Sequence, residues 1–441
     1  MKELLKILKE SQPSPVAIFG AGISGQGVKH LLDKMGWENQ IFDEQGRVFE
    51  KADARNCSIV VYSPGFKPGH PWFKKAKTEN KLCLSELDFG SLFLSDQKVT
   101  AITGTNGKSS VTTLLHQVSC NHGVQSVAGG NLGIPLCELL AQGVESNAEI
   151  FLEVSSFQSS KLVYFKPDGV IWTNFTPDHL DHHGGLKEYF LAKYNLMQRA
   201  GFRNCLVGRS VADACEDMGI KLPESVVVVD PLIKGQVPYE KDHFLVSYPQ
   251  LENLALSKYW FQQRGMKVDT FFQLAFNYIP ERHRLQCIGK DPEGPNFWND
   301  SKSTNLASAL AACKNFAHSL FWIGGGGNKG ESVKDFALRL KPYITRAFLY
   351  GETGGQLHKE LRASGCWSML CESLKDAVHQ SFCFADQNTD ILFSPGFCSF
   401  DQFKNYEERG KSFEKLVLDL KKIIQKGTPL STQSFALQTG R

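Results

Sequence analysis

The feature that most constrains this chain is a turn. An apolar run at 99–103 leads into Gly104, Thr105, Asn106, Gly107, Lys108, Ser109 and Ser110, and residues 111–118 then read as helix. Glycines in such a turn let backbone N–H groups approach phosphate oxygens, and the following helix N-terminus adds positive potential. Lys108 can reach the β- and γ-phosphates, and Ser109 can hold Mg²⁺. Ile102 stands where the strict Walker pattern places its first glycine, so the loop is a variant of that pattern. A strand, a glycine turn and a helix in succession also call for a parallel α/β layer around them.

The same grammar recurs along the chain. Short apolar runs at 16–19, 59–62, 150–154, 170–173, 320–323, 347–350 and 391–394 alternate with helical patterns. After the first run, Val28, Leu31, Leu32 and Met35 place one apolar stripe on a helix that covers a sheet. Two further glycine turns follow strands: Gly20, Gly22 and Gly25 in a G-x-G-x-x-G pattern, and Gly324 to Gly327 with Asn328, Lys329 and Gly330. At roughly 150 residues per domain, 441 residues suggest three domains, one per loop. The motifs place them at 1–96, 97–280 and 281–441.

Charge decides what kind of anion such loops would hold. With 49 basic and 46 acidic residues the chain has no broad basic face for nucleic acid, so anionic partners must be held locally. Lysines interrupt the leucines of the first ten residues, no run is long enough to span a membrane, and the twelve cysteines lack disulfide or metal-finger spacing. A cytoplasmic protein without membrane or nucleic-acid partners is expected.

Polar residues cluster where a core would not ask for them. Glu153 ends a strand candidate and precedes Ser155, Ser156, Phe157 and Gln158; Asn174 opens a stretch that runs through Asp178 and His179 to His183. Near a phosphate cradle these suit Mg²⁺, which prefers oxygen ligands and retains water. A solvated loop capping the next helix is the other reading of the histidines. Lys193, in an apolar helical stretch, reads on pattern alone as a surface lysine whose ammonium reaches solvent. Asp43 lies about where a ribose-binding acid follows a G-x-G-x-x-G turn, so the first loop admits NAD or UDP. A dehydrogenase and a P-loop switch protein both stay open on these grounds.

Read together, Gly104 to Ser109, Glu153, Asn174 with His179, Lys193, His283 with Arg284, and Asn299-Asp300-Ser301-Lys302 stand in the order found in the Mur ligases. The chain resembles that family over nearly its whole length. Gly129 to Gly133, Glu153 to Gln158 and Asp401 to Gly410 resemble its D-glutamate-adding branch. The resemblance implies an α/β protein with an N-terminal Rossmann-like UDP-binding domain, a central P-loop-type ATPase domain and a C-terminal Rossmann-like domain that takes the amino acid. It implies a monomeric ATP- and Mg²⁺-dependent ligase joining D-glutamate to UDP-N-acetylmuramoyl-L-alanine in peptidoglycan precursor synthesis.

The residue roles it implies are these. Ile23, Ser24, Asp43, Gly65, Asn131 and His179 hold the UDP substrate; Gly104 to Ser110, Asn253, Arg284, Asp300 and Lys302 hold ATP; Thr304, Lys329, Ser399 and Phe400 surround D-glutamate. Ser109, Glu153, His179 and Lys193 serve the metal, Lys193 as a carbamate formed with CO₂. Lys108, His179, Lys193, Arg284 and Lys329 are the implied catalytic set. Two segments depart from the family pattern: Ser247 to Asn253, where only the final asparagine carries over, and Ser394 to Ser399, which gains Gly396 and Phe397.

Overall fold

Strands that are apolar throughout, such as Val16–Phe19 and Leu320–Gly324, have no face to offer water and must be covered on both sides. The computed structural model describes residues 14–67, 69–131, 133–240, 243–288, 294–317, 319–328, 330 and 332–425, and divides into two compact units, Met1–Pro280 and Glu281–Arg441.

The first unit holds two sheets. One joins β1 (Val16–Phe19), β2 (Asn39–Phe42), β3 (Val60–Tyr62) and β4 (Cys83–Ser85) in the order β2-β1-β3-β4. The other joins β5 (Lys98–Thr103), β6 (Ser126–Gly130), β7 (Glu149–Glu153), β8 (Gly169–Trp172), β9 (Cys205–Gly208) and β10 (Val226–Val229) in the order β10-β9-β8-β5-β7-β6. Neighbouring strands in both are parallel.

The second unit holds β11 (Gln286–Cys287), β12 (Asn296–Asn299), β13 (Leu320–Gly324), β14 (Arg346–Leu349), β15 (Trp367–Leu370) and β16 (Asp390–Phe393) in the order β11-β12-β16-β13-β14-β15. Only β11 runs antiparallel to its neighbour.

Because successive side chains leave a strand on opposite faces, each sheet builds two cores. Val16, Ile18 and Val61 pack on one face of the first sheet, and Ala17, Phe19 and Val60 on the other. Ala101, Leu152 and Trp172 are divided in the same way from Ile102, Phe151 and Ile171 in the central sheet. Trp322 and Leu349 are likewise divided from Ile323 and Phe348 in the third.

The helix Ile23–Lys34 buries Val28, Leu31 and Leu32, as the stripe requires, and packs along the helix Leu136–Gln142. In every sheet the glycine turn leaves the carboxyl end of an inner strand flanked by other strand ends, the place where open α/β sheets receive ligands.

Candidate functional site

The central site is assembled from three adjacent strands. Pairing of Ile102 with Glu153 and of Thr103 with Trp172 brings the ends of β5, β7 and β8 level, so Glu153 and the Thr173–Asn174 segment flank the glycine loop. Gly107 sits at φ +81°, a left-handed conformation, and a Cβ there would lie 2.3 Å from Asn253 Oδ1. Glycine is therefore needed twice, for the turn and for the close approach of Asn253.

No side chain caps the N-terminus of the helix Lys108–Asn121, which leaves its first N–H groups for a ligand. Asn174 fixes the loop with both ends of its amide: Oδ1 accepts from Asn106 N at 2.9 Å, and Nδ2 donates to Asn106 O at 3.1 Å. Thr105 accepts from Thr176 N and lies 3.2 Å from the Tyr189 hydroxyl.

Two oxygen groups lie side by side at the loop. Ser109 Oγ donates to Glu153 Oε2 at 2.6 Å, and Asn131 Nδ2 donates to Glu153 Oε1 at 3.0 Å. Serine and glutamate are both buried. Among the described residues no three of His, Cys, Asp and Glu gather to hold a metal. A serine hydroxyl, one carboxylate, water and phosphate oxygens are nevertheless the donor set Mg²⁺ takes beside a nucleotide, so the residues fit that ion.

Lys193 corrects the pattern-based expectation of a solvent-facing lysine. It is 1% exposed, and its Nζ donates to Gly104 O at 2.7 Å above the Tyr189 ring. Burial, reinforced by the Lys108 ammonium, holds its pKa well below that of an ordinary lysine, although Asp178 and Glu153 act the other way. Lys108 Nζ donates to Gly104 O at 3.0 Å and Thr105 O at 2.9 Å, folded over its own loop.

His179 has φ +52° and lies 3.7 Å from Asp178. Its ring meets Phe157 edge-on, and Phe157 also contacts His182 and His183. The histidine run is thus packed around one aromatic ring.

The first glycine turn opens on a cavity of about 1000 Å³ lined by Gly20, Gly22, Ile23, Ser24, Glu44, Ser63 and the segment Pro64, Gly65, Phe66 and Lys67, with Gly69 and His70. Of the residues assigned to UDP, Ile23, Ser24 and Gly65 line it. Asp43 instead accepts from Ala21 N at 2.9 Å and Gln45 N at 3.1 Å, bonds that lower its pKa and brace the turn. Asn131 stands at Glu153, beside the second glycine loop.

In the second unit, Asp300 follows β12 and is buried. Its carboxylate accepts from Leu285 N and Ser394 Oγ, yet burial still raises its pKa to about 6 against the pull of Arg284. Arg284 Nε is buried without a hydrogen-bond partner among the described residues. Lys302 pairs with Glu281 and lies over the Tyr406 ring. Thr304 is half-buried, Ser399 buried, and Phe400 exposed beside it; Lys329 lies outside the described residues.

The sequence reading gave no role to Thr173, Tyr189 or Arg409. Tyr189 could have been found by its i, i+4 relation to Lys193. Arg409, which donates to Ser301 Oγ, Ser301 O and Phe397 O in the interior, carries no local sign of burial.

A phosphate cradle backed by a buried lysine and a buried carboxylate defines a nucleotide-using enzyme, and comparisons with known proteins place it. The Mur ligase middle domain matches residues 102–225. The fold is like that of the MurF ligase of Thermotoga maritima, solved in complex with ADP. That likeness has a TM-score of 0.58 at 13% identity and covers 85% of this chain and 98% of that one. The chain is thus similar to the Mur ligases in its middle domain and in its fold.

Two relatives named UDP-N-acetylmuramoylalanine--D-glutamate ligase align along almost the full length. The Streptococcus pneumoniae protein is 27% identical over 95% of this chain and 100% of its own. That of Aquifex aeolicus is 29% identical over 91% and 97%.

Proposed function

We propose that the chain uses ATP to join D-glutamate to UDP-N-acetylmuramoyl-L-alanine, in the cytoplasm and as a monomer. The observation that carries this reading is the grouping of Ser109, Glu153, Lys108 and buried Lys193 on one phosphate loop. Full-length similarity to ligases of that name supports the choice of substrates. The domains of the reaction are taken as 1–96 for UDP, 97–280 for ATP and 281–441 for the amino acid.

A carboxylate and an amine do not condense in water without activation. The L-alanyl carboxylate oxygen attacks the γ-phosphorus, ADP leaves, and an acyl phosphate results. The D-glutamate amine then attacks the acyl carbon and inorganic phosphate departs. Lys108 and the uncapped N–H groups of the loop stabilise charge on the transferring phosphoryl group. Mg²⁺, held at Ser109 and Glu153 with His179 and Lys193 as further assigned ligands, would neutralise phosphate charge. By resemblance Asn253, Arg284, Asp300 and Lys302 hold the nucleotide, and Thr304, Lys329, Ser399 and Phe400 the D-glutamate.

Lys193 fits a carbamate. Only a neutral amine attacks CO₂, releasing a proton as the N–C bond forms, and burial beside Lys108 favours that neutral amine. The product replaces a buried amine with an anionic oxygen donor. The NAD reading of the first loop is disfavoured because the Asp43 carboxylate is engaged by its own turn.

The test is phosphate release from ATP and Mg²⁺ with UDP-N-acetylmuramoyl-L-alanine, comparing D-glutamate, L-glutamate, L-lysine and no amine. Release that requires D-glutamate supports the reading. Release indifferent to the amine would replace it with a nucleotidase, and NAD binding without ATP turnover with a dehydrogenase.

A further inference from the structure

One lysine outside the assigned set connects the phosphate site to the cavity of the first loop. Lys161 follows the helical turn Ser156–Ser159, which continues from β7 and Glu153. Its Nζ donates to Pro64 O at 2.7 Å and Phe66 O at 2.6 Å, both in the segment that leaves β3 and lines the cavity. The amine is half-buried, lies 5.9 Å from the centre of the Tyr62 ring, and has no carboxylate partner among the described residues. Lys161 itself does not line the cavity.

A cation kept partly out of water, with carbonyl groups in place of a counter-ion, incurs a desolvation cost that those dipoles must offset. The arrangement has a directional consequence. In a trans peptide the C=O and N–H point in opposite directions. Drawing the Pro64 and Phe66 carbonyls onto Lys161 turns the N–H groups of Gly65 and Lys67 away from it, on residues that line the cavity. Neither N–H donates to another group among the described residues. These amides and the uncapped N-terminus of the helix Ile23–Lys34 belong to residues that line the same cavity, and N–H groups without partners are the donors an anion takes.

We infer that Lys161 is a positioning residue: it orients the Gly65 and Lys67 amides to receive a phosphate oxygen of the nucleotide-linked substrate in this cavity. The inference rests on the UDP reading of the first loop and deepens it by naming the group that sets the loop. It also gives the segment after Glu153 a second task, since the turn that leaves the metal-binding strand carries the lysine that shapes the other substrate's site.

The experiment is UDP binding to the full chain by calorimetry, together with steady-state kinetics, for wild type, Lys161→Met and Lys161→Arg. Methionine keeps the apolar stem and removes the donors, whereas arginine restores them. The expected result is UDP binding and KM for the UDP substrate weakened about tenfold in K161M, with kcat and KM for ATP within twofold of wild type. K161R should recover at least half of the loss on a logarithmic scale.

Unchanged UDP affinity in K161M would overturn the inference while leaving the UDP reading intact. So would parallel losses of kcat and both KM values, the mark of a general structural role. A wild-type chain that does not bind UDP would overturn the reading itself. If K161M does not fold, Lys161→Gln, which shortens the side chain and removes its charge, decides the matter: UDP affinity weakened at unchanged Tm supports the strut, and full affinity removes it.

Discussion

The first and second glycine loops have the same local form and opposite surroundings. Each follows an inner parallel strand, and each opens a helix whose N-terminus no side chain caps, at Gly22 in one and Gly107 in the other. Around the second, Ser109, Glu153 and Lys193 are buried within reach of the loop. Around the first, Ile23 is 68% exposed, the nearby carboxylate of Asp43 braces the turn, and the cavity is open. The shared form offers an anion site. On the proposed reading, fixed, desolvated charges distinguish the loop where a phosphoryl group is transferred from the one where a phosphate is only held.

The predictions that would break or sharpen this contrast begin with the charges of the second loop. Lys108→Met and Glu153→Gln should each reduce D-glutamate-dependent phosphate release by roughly a hundredfold to a thousandfold, while UDP affinity by calorimetry stays within about threefold. Comparable losses in both measurements would mean that the two loops do not divide the work. Lys193→Ala should cost on the order of a hundredfold and recover in part with added acetate or formate; a mutant as active as wild type would remove the carbamate from the mechanism.

Gly107→Ala forces a Cβ into a left-handed turn against Asn253, and the strain of about 1–2 kcal/mol should raise KM for ATP roughly five- to thirtyfold. Asn253→Ala in the same chain should relieve the steric part, which a double-mutant comparison would read. Asp43→Ala should weaken UDP binding by about threefold to tenfold through a looser turn and leave ATP kinetics unchanged. An effect on ATP alone would reverse the assignment of the loops.

The smallest effect concerns the packing between the first and central layers. Glu86 is buried, accepts from Cys137 N at 2.7 Å, and has its pKa raised by burial to about 7. The folded chain keeps a proton that the unfolded chain releases near 4.5, the ordinary value for glutamate. Stability from this group is therefore complete below about pH 4.5 and is lost as pH rises through about 7. Glu86→Gln, neutral at all pH, should lessen the fall in Tm between pH 5 and pH 8 by several degrees without altering turnover. An identical pH dependence in the variant would show that the carboxyl does not titrate there.

Much of the architecture was legible because parallel strands buried on both faces are written as short apolar runs. All eight runs singled out in the sequence coincide with strands to within a residue, from β1 to β16. Several of the strands not singled out give weaker signals. β6 ends in two glycines, β11 has only two residues, and β12 carries asparagine at both ends. β10 is four valines at a sheet edge, apolar enough to be noticed but with no glycine turn after it to mark its place.

The strand, glycine turn and helix of the second loop could be read from the sequence because their conformation is local. Lys193 could not, since nothing within a helical turn of it distinguishes a lysine directed to water from one directed to Gly104 O.

What the sequence determined by itself was therefore the set of local units: strand, glycine turn and helix, three times, with lysine and serine placed on one of them. Dihedral preferences and side-chain period act over a few residues, and a single chain displays both. What only the tertiary structure decided was which side chains lose water together. Glu153 meets Ser109 across 44 positions, Lys193 meets Gly104 across 89, and Lys161 meets Pro64 across 97. Desolvation and the sharing of one carbonyl or carboxylate depend on neighbours supplied by strand order, and no window of sequence contains them.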